Sequence, residues 1–460
     1  MSKYAVTNPA TGVVEKEYPT ATDEQINEAL DAAGNAFPTW SATEPAERAA
    51  LLSRVADLYE ERAEQLASII TREMGKPQKQ ALGELKIVVS IYRYYAEHGV
   101  EYLADEEVAV ARGGRAVVRN EPYGVLLGIM PWNFPYYQVA RFAAPNLMVG
   151  NTILLKHAPQ CPESAAAMEQ LFRDAGLPEG AYVNVYATNE QVAEMIIPDR
   201  RVQGVSLTGS ERAGSAVAQT AGKHLKKVVL ELGGNDPFLV LDRDVVPQAV
   251  KRAMFSRMGN AGQACNAAKR IIVLDEFYDE FVDQLEEVVR GVELGDPTSE
   301  ETFMGPMSSD RAAEDLDAQV QDAVARGAKV HAGGRRADRP GSWYEPTMLT
   351  GITEEMRAYR EELFGPVAMV YRVPDEEAAV KLANDSDYGL SASVHATDVA
   401  QAERVAAQIE SGMVYLNEGA STAAELPFGG VKRSGIGREL GRYGMEEFVN
   451  KRLVKYAKNS

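Results

Sequence analysis

Apolar residues recur at helical spacing through the first hundred positions and then give way to short unbroken apolar runs. Thr22-Asp23-Glu24-Gln25 has the form of a capping box, and Ile26, Ala29, Leu30 and Ala33 follow it on one helical face. Pro45 suits a first helical turn, and Leu51, Leu52, Val55 and Leu58 predict a second helix behind it. Further helices are predicted over 63–73, closed by Gly75 and Pro77, and over 80–97. From Ala116 the texture changes, and 125–130, 152–155, 182–185, 205–208 and 228–232 read as buried strands. Helical patterns at 164–175 and 191–197 lie between them, so a parallel sheet covered on both faces is expected.

A second alternating set follows Gly234, with strands expected at 238–241, 270–274, 367–371, 391–395 and 413–416. The β-leaning segments at 112–119 and 448–456 fit neither sheet, and such orphans pair as edge strands or with another subunit. Composition narrows the class. The chain has 460 residues, 45% of them hydrophobic and 25% charged, so it can bury a large core without disulfides or metal. Its formal charge of −19 argues against nucleic acid or an anionic membrane as partner. No apolar run is long enough to span a bilayer, and the N-terminus lacks the layout of a signal peptide. With only Cys161 and Cys265, a disulfide framework is excluded, and a cytoplasmic location is expected. His98, His157, His224, His331 and His395 show no ligand spacing, so no metal site is expected.

Candidate chemistry gathers at strand ends and turns. Cys265 ends Gly259-Asn260-Ala261-Gly262-Gln263-Ala264-Cys265, where a glycine-containing turn leaves a thiol within reach of substrate. An ordinary thiol of pKa ~8.5 is only a few per cent thiolate at pH 7, so a base or a cationic setting must accompany it. Taken alone, Cys265 reads more readily as a small buried apolar residue, as most lone cysteines are. Glu231 ends an apolar strand ahead of Gly233 and Gly234, where burial would raise its pKa toward that of a usable base. In Pro131-Trp132-Asn133-Phe134-Pro135, two prolines bracket a turn whose Asn133 amide can stabilise an oxyanion. Thr208-Gly209-Ser210 runs from a strand into a helix start, which can hold a pyrophosphate on backbone N–H groups.

In this order, these motifs resemble the aldehyde dehydrogenase superfamily across essentially the whole chain. Lys156, Gly295-Asp296-Pro297, Glu361-Glu362-Leu363-Phe364-Gly365-Pro366 and Pro427-Phe428-Gly429-Gly430 with Ser434-Gly435 extend the likeness. The resemblance implies Cys265 as nucleophile, Asn133 as oxyanion donor and Glu231 as the base that activates water. It implies a cofactor site formed by Trp132, Lys156, Pro159, Gly209, Ser210, Gly214, Glu362 and Phe364. Lys156 and Glu362 would grip ribose hydroxyls, with Phe364 against the nicotinamide. Pro159 stands where NAD-selective members often carry a glutamate, so NADP is expected, with NAD as the alternative.

Leu155-Lys156-His157-Ala158-Pro159 is similar to the succinate-semialdehyde dehydrogenase branch, and Arg141 falls where that branch binds the substrate carboxylate. Ser421 or Thr422 would supply a second anchor. Asn260 stands where some members carry a second arginine. The implied fold is a doubly wound α/β cofactor domain (1–111 and 126–232), an α/β catalytic domain (233–440) and a small β oligomerisation flap (112–125 and 441–460). A homodimer or homotetramer acting on a small-molecule aldehyde is the expected assembly. Open alternatives are another aldehyde, such as glutarate semialdehyde or an uncharged one, a CoA-acylating or ester-hydrolysing relative, and a non-catalytic structural relative.

Overall fold

The apolar run at 125–130 forms a strand paired on both sides, and this places it centrally in a six-stranded sheet. The sheet order is Gly435–Ile436, Lys227–Glu231, Val202–Thr208, Val125–Met130, Thr152–His157, Tyr182–Asn184, parallel throughout except at Gly435–Ile436. In chain order the parallel strands run 3-2-1-4-5, the doubly wound arrangement. The order reverses between Val125–Met130 and Val202–Thr208, so a crevice opens at their carboxyl ends. The computed structural model describes residues 3–111 and 113–457. The largest apolar cluster packs helices Pro45–Glu61, Ala63–Met74, Gln78–Tyr102 and Pro135–Val149 against this sheet.

The second set of strands makes a seven-stranded sheet in the order Lys329–Ala332, Thr347–Thr350, Val367–Val373, Arg270–Leu274, Pro237–Val240, Ser391–His395, Met413–Leu416. Only its Lys329–Ala332 edge is antiparallel. The orphan β segments pair with each other. Val449–Lys455 runs antiparallel to Ala116–Pro122 over its whole length, with Glu106–Glu107 on the far side. Arg112, where the expected flap begins, and 458–460 at its end lie outside the described residues.

Several expectations need correction. The first hundred residues are not helical from the start, because Tyr4–Asn8 and Val13–Tyr18 form an antiparallel hairpin. The second strand of the hairpin is exposed and half charged, so no apolar alternation marked it. The hairpin is tied to the first sheet's loops by Tyr4 Oη donating to the Ala187 carbonyl (2.9 Å) and by Ala5 N donating to the Pro159 carbonyl (3.0 Å). Residues 191–197 form no regular helix: a single turn, Asn189–Gln191, leads into a π-helical turn, Val192–Ile196. The segment 429–440, assigned to the catalytic domain, gives its Gly435–Ile436 strand to the first sheet. Val125, assigned to the flap, is the first residue of that sheet's central strand.

The C-terminal segment also packs into the sheet through Phe448, which is buried against Gly204. A Cβ on Gly204 would lie 2.5 Å from the Phe448 ring. Gly204→Ala is therefore expected to overpack this contact and cost about 1–3 kcal/mol, lowering the urea midpoint. Adding Phe448→Leu should recover part of that loss; an unchanged Gly204→Ala transition would show that the contact yields freely.

Candidate active site

The crevice at the strand reversal is a cleft of about 400 Å³. Its wall combines Pro131, Trp132, Asn133, Thr208, Gly209, Ser210, Leu232 and Gly233 from the first sheet's strand ends with Cys265, Glu362 and Phe364 from the second domain. The helix Asp310–Ala325 closes it with Ala312, Asp315, Leu316 and Gln319, none of which carried a sequence signal. Of the expected residues, the cleft brings together Trp132, Asn133, Gly209, Ser210, Cys265, Glu362 and Phe364. Trp132 and Phe364 meet edge to face at 5.7 Å. Glu231, Arg141, Lys156, Pro159, Gly214, Ser421 and Thr422 stand outside its wall.

Cys265 is half-buried on the cleft. Desolvation pushes its thiol up to about 12; Arg141 and Lys269 pull the other way, and Glu231 and Glu362 add to the rise. Lys269, four residues on, is a functional neighbour that sequence reading missed. Its buried ammonium donates to the Ala264 and Cys265 carbonyls and pairs with Glu362 Oε1 at 2.8 Å. Glu362 also accepts from Gly234 N at 3.2 Å. Glu362 is thus the ion-pair partner of Lys269. Arg257, another residue without a sequence signal, fastens the loop that presents Glu362 and Phe364. It donates to the carbonyls of Val367 (2.8 Å), Leu363 (2.7 Å) and Gly365.

Asn133 Nδ2 donates to the Gln263 carbonyl at 3.1 Å, which draws the amide toward the turn carrying Cys265. Asn260 takes up no substrate-facing position. It sits at φ +52°, and its Nδ2 donates to the carbonyls of Asn133 (3.0 Å) and Gln263 (3.3 Å). Gln263 closes the network by donating to Asn260 O at 3.0 Å and accepting from Ser308 N at 2.9 Å. The two turns are bound to one another as a unit.

Behind this unit lies a buried charge cluster. Glu231 is 2% exposed, and neither carboxylate oxygen has a hydrogen-bond partner among the described residues. Burial holds its pKa well above the carboxylate range; Arg141 opposes that and Glu439 reinforces it. Arg141, expected to face the substrate, is 1% exposed, and its Nε pairs with Glu439 Oε2 at 2.7 Å. Burial works against its charge more than any one neighbour favours it, but Glu439, Tyr137, Glu231 and Cys265 together outweigh burial and hold the guanidinium firmly ionised. Among the described residues its terminal nitrogens donate only to Tyr137 Oη and Thr208 Oγ1, each at 3.4 Å, and the guanidinium lies 4.3 Å over the Phe428 ring. Tyr137 Oη in turn donates to Thr422 Oγ1 at 3.3 Å, and Tyr415 Oη donates to the Ser421 carbonyl at 2.8 Å. Arg141 is therefore a paired cation behind Tyr137, not a free one in the cleft.

Lys156 lies inside the strand Thr152–His157, not after it. It is buried, has no ion-pair partner among the described residues, and is pulled down to about 8 by desolvation. Ser210 caps helix Glu211–Lys223 by accepting from Ala213 N, so this helix starts at the cleft wall. Gly214, in its first turn, allows the helix to sit on the strand end: a Cβ there would lie 2.6 Å from Leu232. Among the described residues no cluster of His, Cys, Asp or Glu could hold a metal ion, and no helix is long and apolar enough to cross a membrane.

The two thiols should differ sharply in reactivity. Cys161 is fully buried and its pKa is driven far up by desolvation, whereas Cys265 borders the cleft. Iodoacetamide is expected to label one residue per native chain, Cys265, with a rate that climbs toward high pH because the thiol titrates near 12. Peptide mapping showing Cys161 labelled first, or a rate flat across pH 7 to 10, would contradict this assignment.

Residues 1–454 match the aldehyde dehydrogenase family. The chain is 53% identical to the succinate-semialdehyde dehydrogenase [NADP(+)] of Deinococcus radiodurans over 452 residues, covering 98% of this chain and 94% of that protein. It is 42% identical to the probable succinate-semialdehyde dehydrogenase [NADP(+)] of Synechocystis sp., over 98% of this chain and 99% of that one. Among solved structures, the succinic semialdehyde dehydrogenase of Streptococcus pyogenes in complex with NADP+ superposes with a TM-score of 0.96 at 41% identity, covering 98% of this chain and 99% of that one. With likeness this deep from end to end, on a fold that places the cleft between the same two sheets, the chain belongs to the aldehyde dehydrogenase family.

Proposed function

We propose that the protein oxidises succinate semialdehyde to succinate with NADP, through a thioester on Cys265. The observation that carries this reading is a thiol and a turn amide sharing the cleft where the doubly wound sheet reverses, with a buried carboxylate, which has no hydrogen-bond partner among the described residues, in electrostatic reach of that thiol. The residues fit a dinucleotide. Gly214 lets the helix seat against Leu232, Ser210 caps it, and Lys156 has no ion-pair partner among the described residues, with Pro159 rather than an acidic residue three positions on to meet a 2′-phosphate. Lys156, Glu362, Trp132 and Phe364 would hold the cofactor with Gly209 and Ser210. NADP, when bound, supplies the hydride acceptor.

The chain's own residues carry the rest. The Cys265 sulfur adds to the aldehyde carbon, and the Asn133 amide, with the Cys265 backbone N–H, stabilises the charge that develops on oxygen. Its raised pKa means that the thiol must give up its proton to solvent as it attacks. Once the thioester stands on Cys265, Glu231 takes a proton from water so that the water attacks the acyl carbon, and succinate leaves. The Arg141 terminal nitrogens make only long contacts, so they retain donors for the substrate carboxylate while Nε stays on Glu439. Thr422 is linked to that position through Tyr137, and Ser421 precedes it in the chain.

The outer strand Val449–Lys455 pairs on one side only and exposes Leu453. It supplies an edge through which two or four copies would assemble. Both cysteines are free thiols, which suits the cytoplasm. The Arg141–Glu439 pair favours one second reading, an uncharged aldehyde, because a cation already neutralised has less to offer a carboxylate.

Steady-state assays with succinate semialdehyde and pentanal, each with NADP and NAD, separate these readings. NADP with succinate semialdehyde is expected to give the highest kcat/KM. Hydrogen bonds to charged groups are worth ~1.5–3 kcal/mol, so Arg141→Leu should cost about 10- to 150-fold with succinate semialdehyde and spare pentanal. Equal loss on both would leave Arg141 as the partner of Glu439 alone.

Glu231→Gln should separate the half-reactions, giving one burst of reduced cofactor and then turnover slowed by about 10²–10⁴-fold. In the wild type, deacylation should rise with pH as Glu231 gives up its raised-pKa proton, and the variant should lose that limb. A variant without the burst that also fails to bind NADP would make Glu231 structural.

A further inference from the structure

The turn that presents Asn133 leads directly into helix Pro135–Val149, whose start has no side-chain cap of its own. Its first free N–H groups, those of Tyr136 and Tyr137, instead donate to Glu84 Oε1 at 2.9 and 3.1 Å. Glu84 comes from a different helix, Gln78–Tyr102, and is 3% exposed. Its other oxygen pairs with Lys76 Nζ, which is 1% exposed and sits 3.8 Å over the ring of Phe134, the neighbour of Asn133. An anion at a helix start is favoured by the helix dipole and by the unsatisfied N–H groups there. An ion pair with both members buried is a costly way to cap a helix, since several kcal/mol of desolvation oppose each charge.

One helical turn earlier, on the same face, Gln80 holds the other half of the site. Its Oε1 accepts from Asn260 N at 2.8 Å, where Asn260 adopts its left-handed conformation, and its Nε2 donates to the Phe303 carbonyl. Asn260 in turn holds the Asn133 carbonyl at 3.0 Å. The start of helix Gln78–Tyr102 thus grips the Asn133 turn through Glu84 and the Cys265 turn through Gln80.

We propose that Glu84, paired with Lys76, is a positioning residue that sets the Asn133 amide against Cys265 by capping helix Pro135–Val149 from outside, with Gln80 fixing the opposite turn. The proposal rests on the reading of Asn133 as oxyanion donor. Oxyanion stabilisation depends on donor placement, and a shift of about 1 Å in a positioned group can cost about 10²-fold. Glu84 touches neither substrate nor cofactor, so its loss should appear in kcat and leave KM and NADP affinity nearly unchanged.

The test uses Glu84→Ala and two charge-free double variants, Lys76→Met/Glu84→Gln and Lys76→Met/Glu84→Met, each also made on Asn133→Ala. The Gln double variant retains an acceptor for both N–H groups and the Met double variant does not, while neither leaves a buried charge unpaired. Expected for Glu84→Ala and the Met double variant is a fall of about 10- to 100-fold in kcat, with NADP affinity within about threefold. The Gln double variant should recover to within about threefold of the wild type.

On Asn133→Ala the same changes should cost less than about twofold, because the residues act through one amide. Effects that multiply with Asn133→Ala, or Gln and Met double variants of equal activity, would overturn the proposal. If Glu84→Ala does not fold, the pair of double variants decides alone. If Asn133→Ala leaves kcat intact, the reading of Asn133 itself fails, and that outcome differs from an active Glu84→Ala beside an inactive Asn133→Ala.

Discussion

Taking a charge out of water costs several kcal/mol unless a partner comes with it, and the ground behind Cys265 holds two buried carboxylates and one buried guanidinium. Arg141 is committed to Glu439 through Nε. One cation cannot neutralise both acids, so Glu231 is the group that holds its proton. That condition orders the chemistry around it. A carboxylate so held can accept a proton only after its own has left, and the Cys265 thiol beside it is likewise pushed up by desolvation. Gly429 provides the room this requires, since a Cβ there would come within 2.7 Å of Glu231 Oε1.

Lys269 balances the other side of Cys265. It ties Glu362, at the cleft wall, to the backbone of Cys265 itself. The turn can approach this closely because Gly262 has no side chain to meet the Gly365 carbonyl, and Arg257 holds that loop by its carbonyls. The Cys265 turn and the Glu362 loop are therefore one braced piece, with the Asn133 turn joined through Asn260 and Gln263.

The sequence made legible what is local. Thr22 and Gln25 form the capping box they announce, Gly75 ends its helix in a left-handed conformation, and the runs at 125–130 and 270–274 are strands at those bounds. The turns bearing Trp132, Asn133, Gly209, Ser210 and Cys265 were visible because proline and glycine at strand ends leave a sequence trace. Partner choice left none. That Glu362 meets Lys269, and that Arg141 is already paired with Glu439, depends on segments brought together from across the chain. The hairpin that holds the Pro159 carbonyl was missed for a related reason, since its exposed strand has no apolar face to display.

The separation of Glu231 and Glu439 shows how such a pairing is set. Gly435–Ile436 lies antiparallel to Lys227–Glu231, Leu232 N donates to the Ser434 carbonyl, and Ser434 Oγ donates to the Gly233 carbonyl at 2.7 Å. Phe428 and Glu439 exchange two backbone hydrogen bonds at 2.7 Å, which folds the same segment back on itself. A backbone ladder, not a side-chain contact, therefore fixes how far apart the two acids stand. The segment that lays itself over the Glu231 strand excludes water from that carboxylate and brings the second carboxylate with it. Desolvation and like charge, the two influences that lift Glu231, share one structural cause. Replacing Glu439 would remove the second influence and leave the first, because the strand that covers Glu231 is held by its main chain.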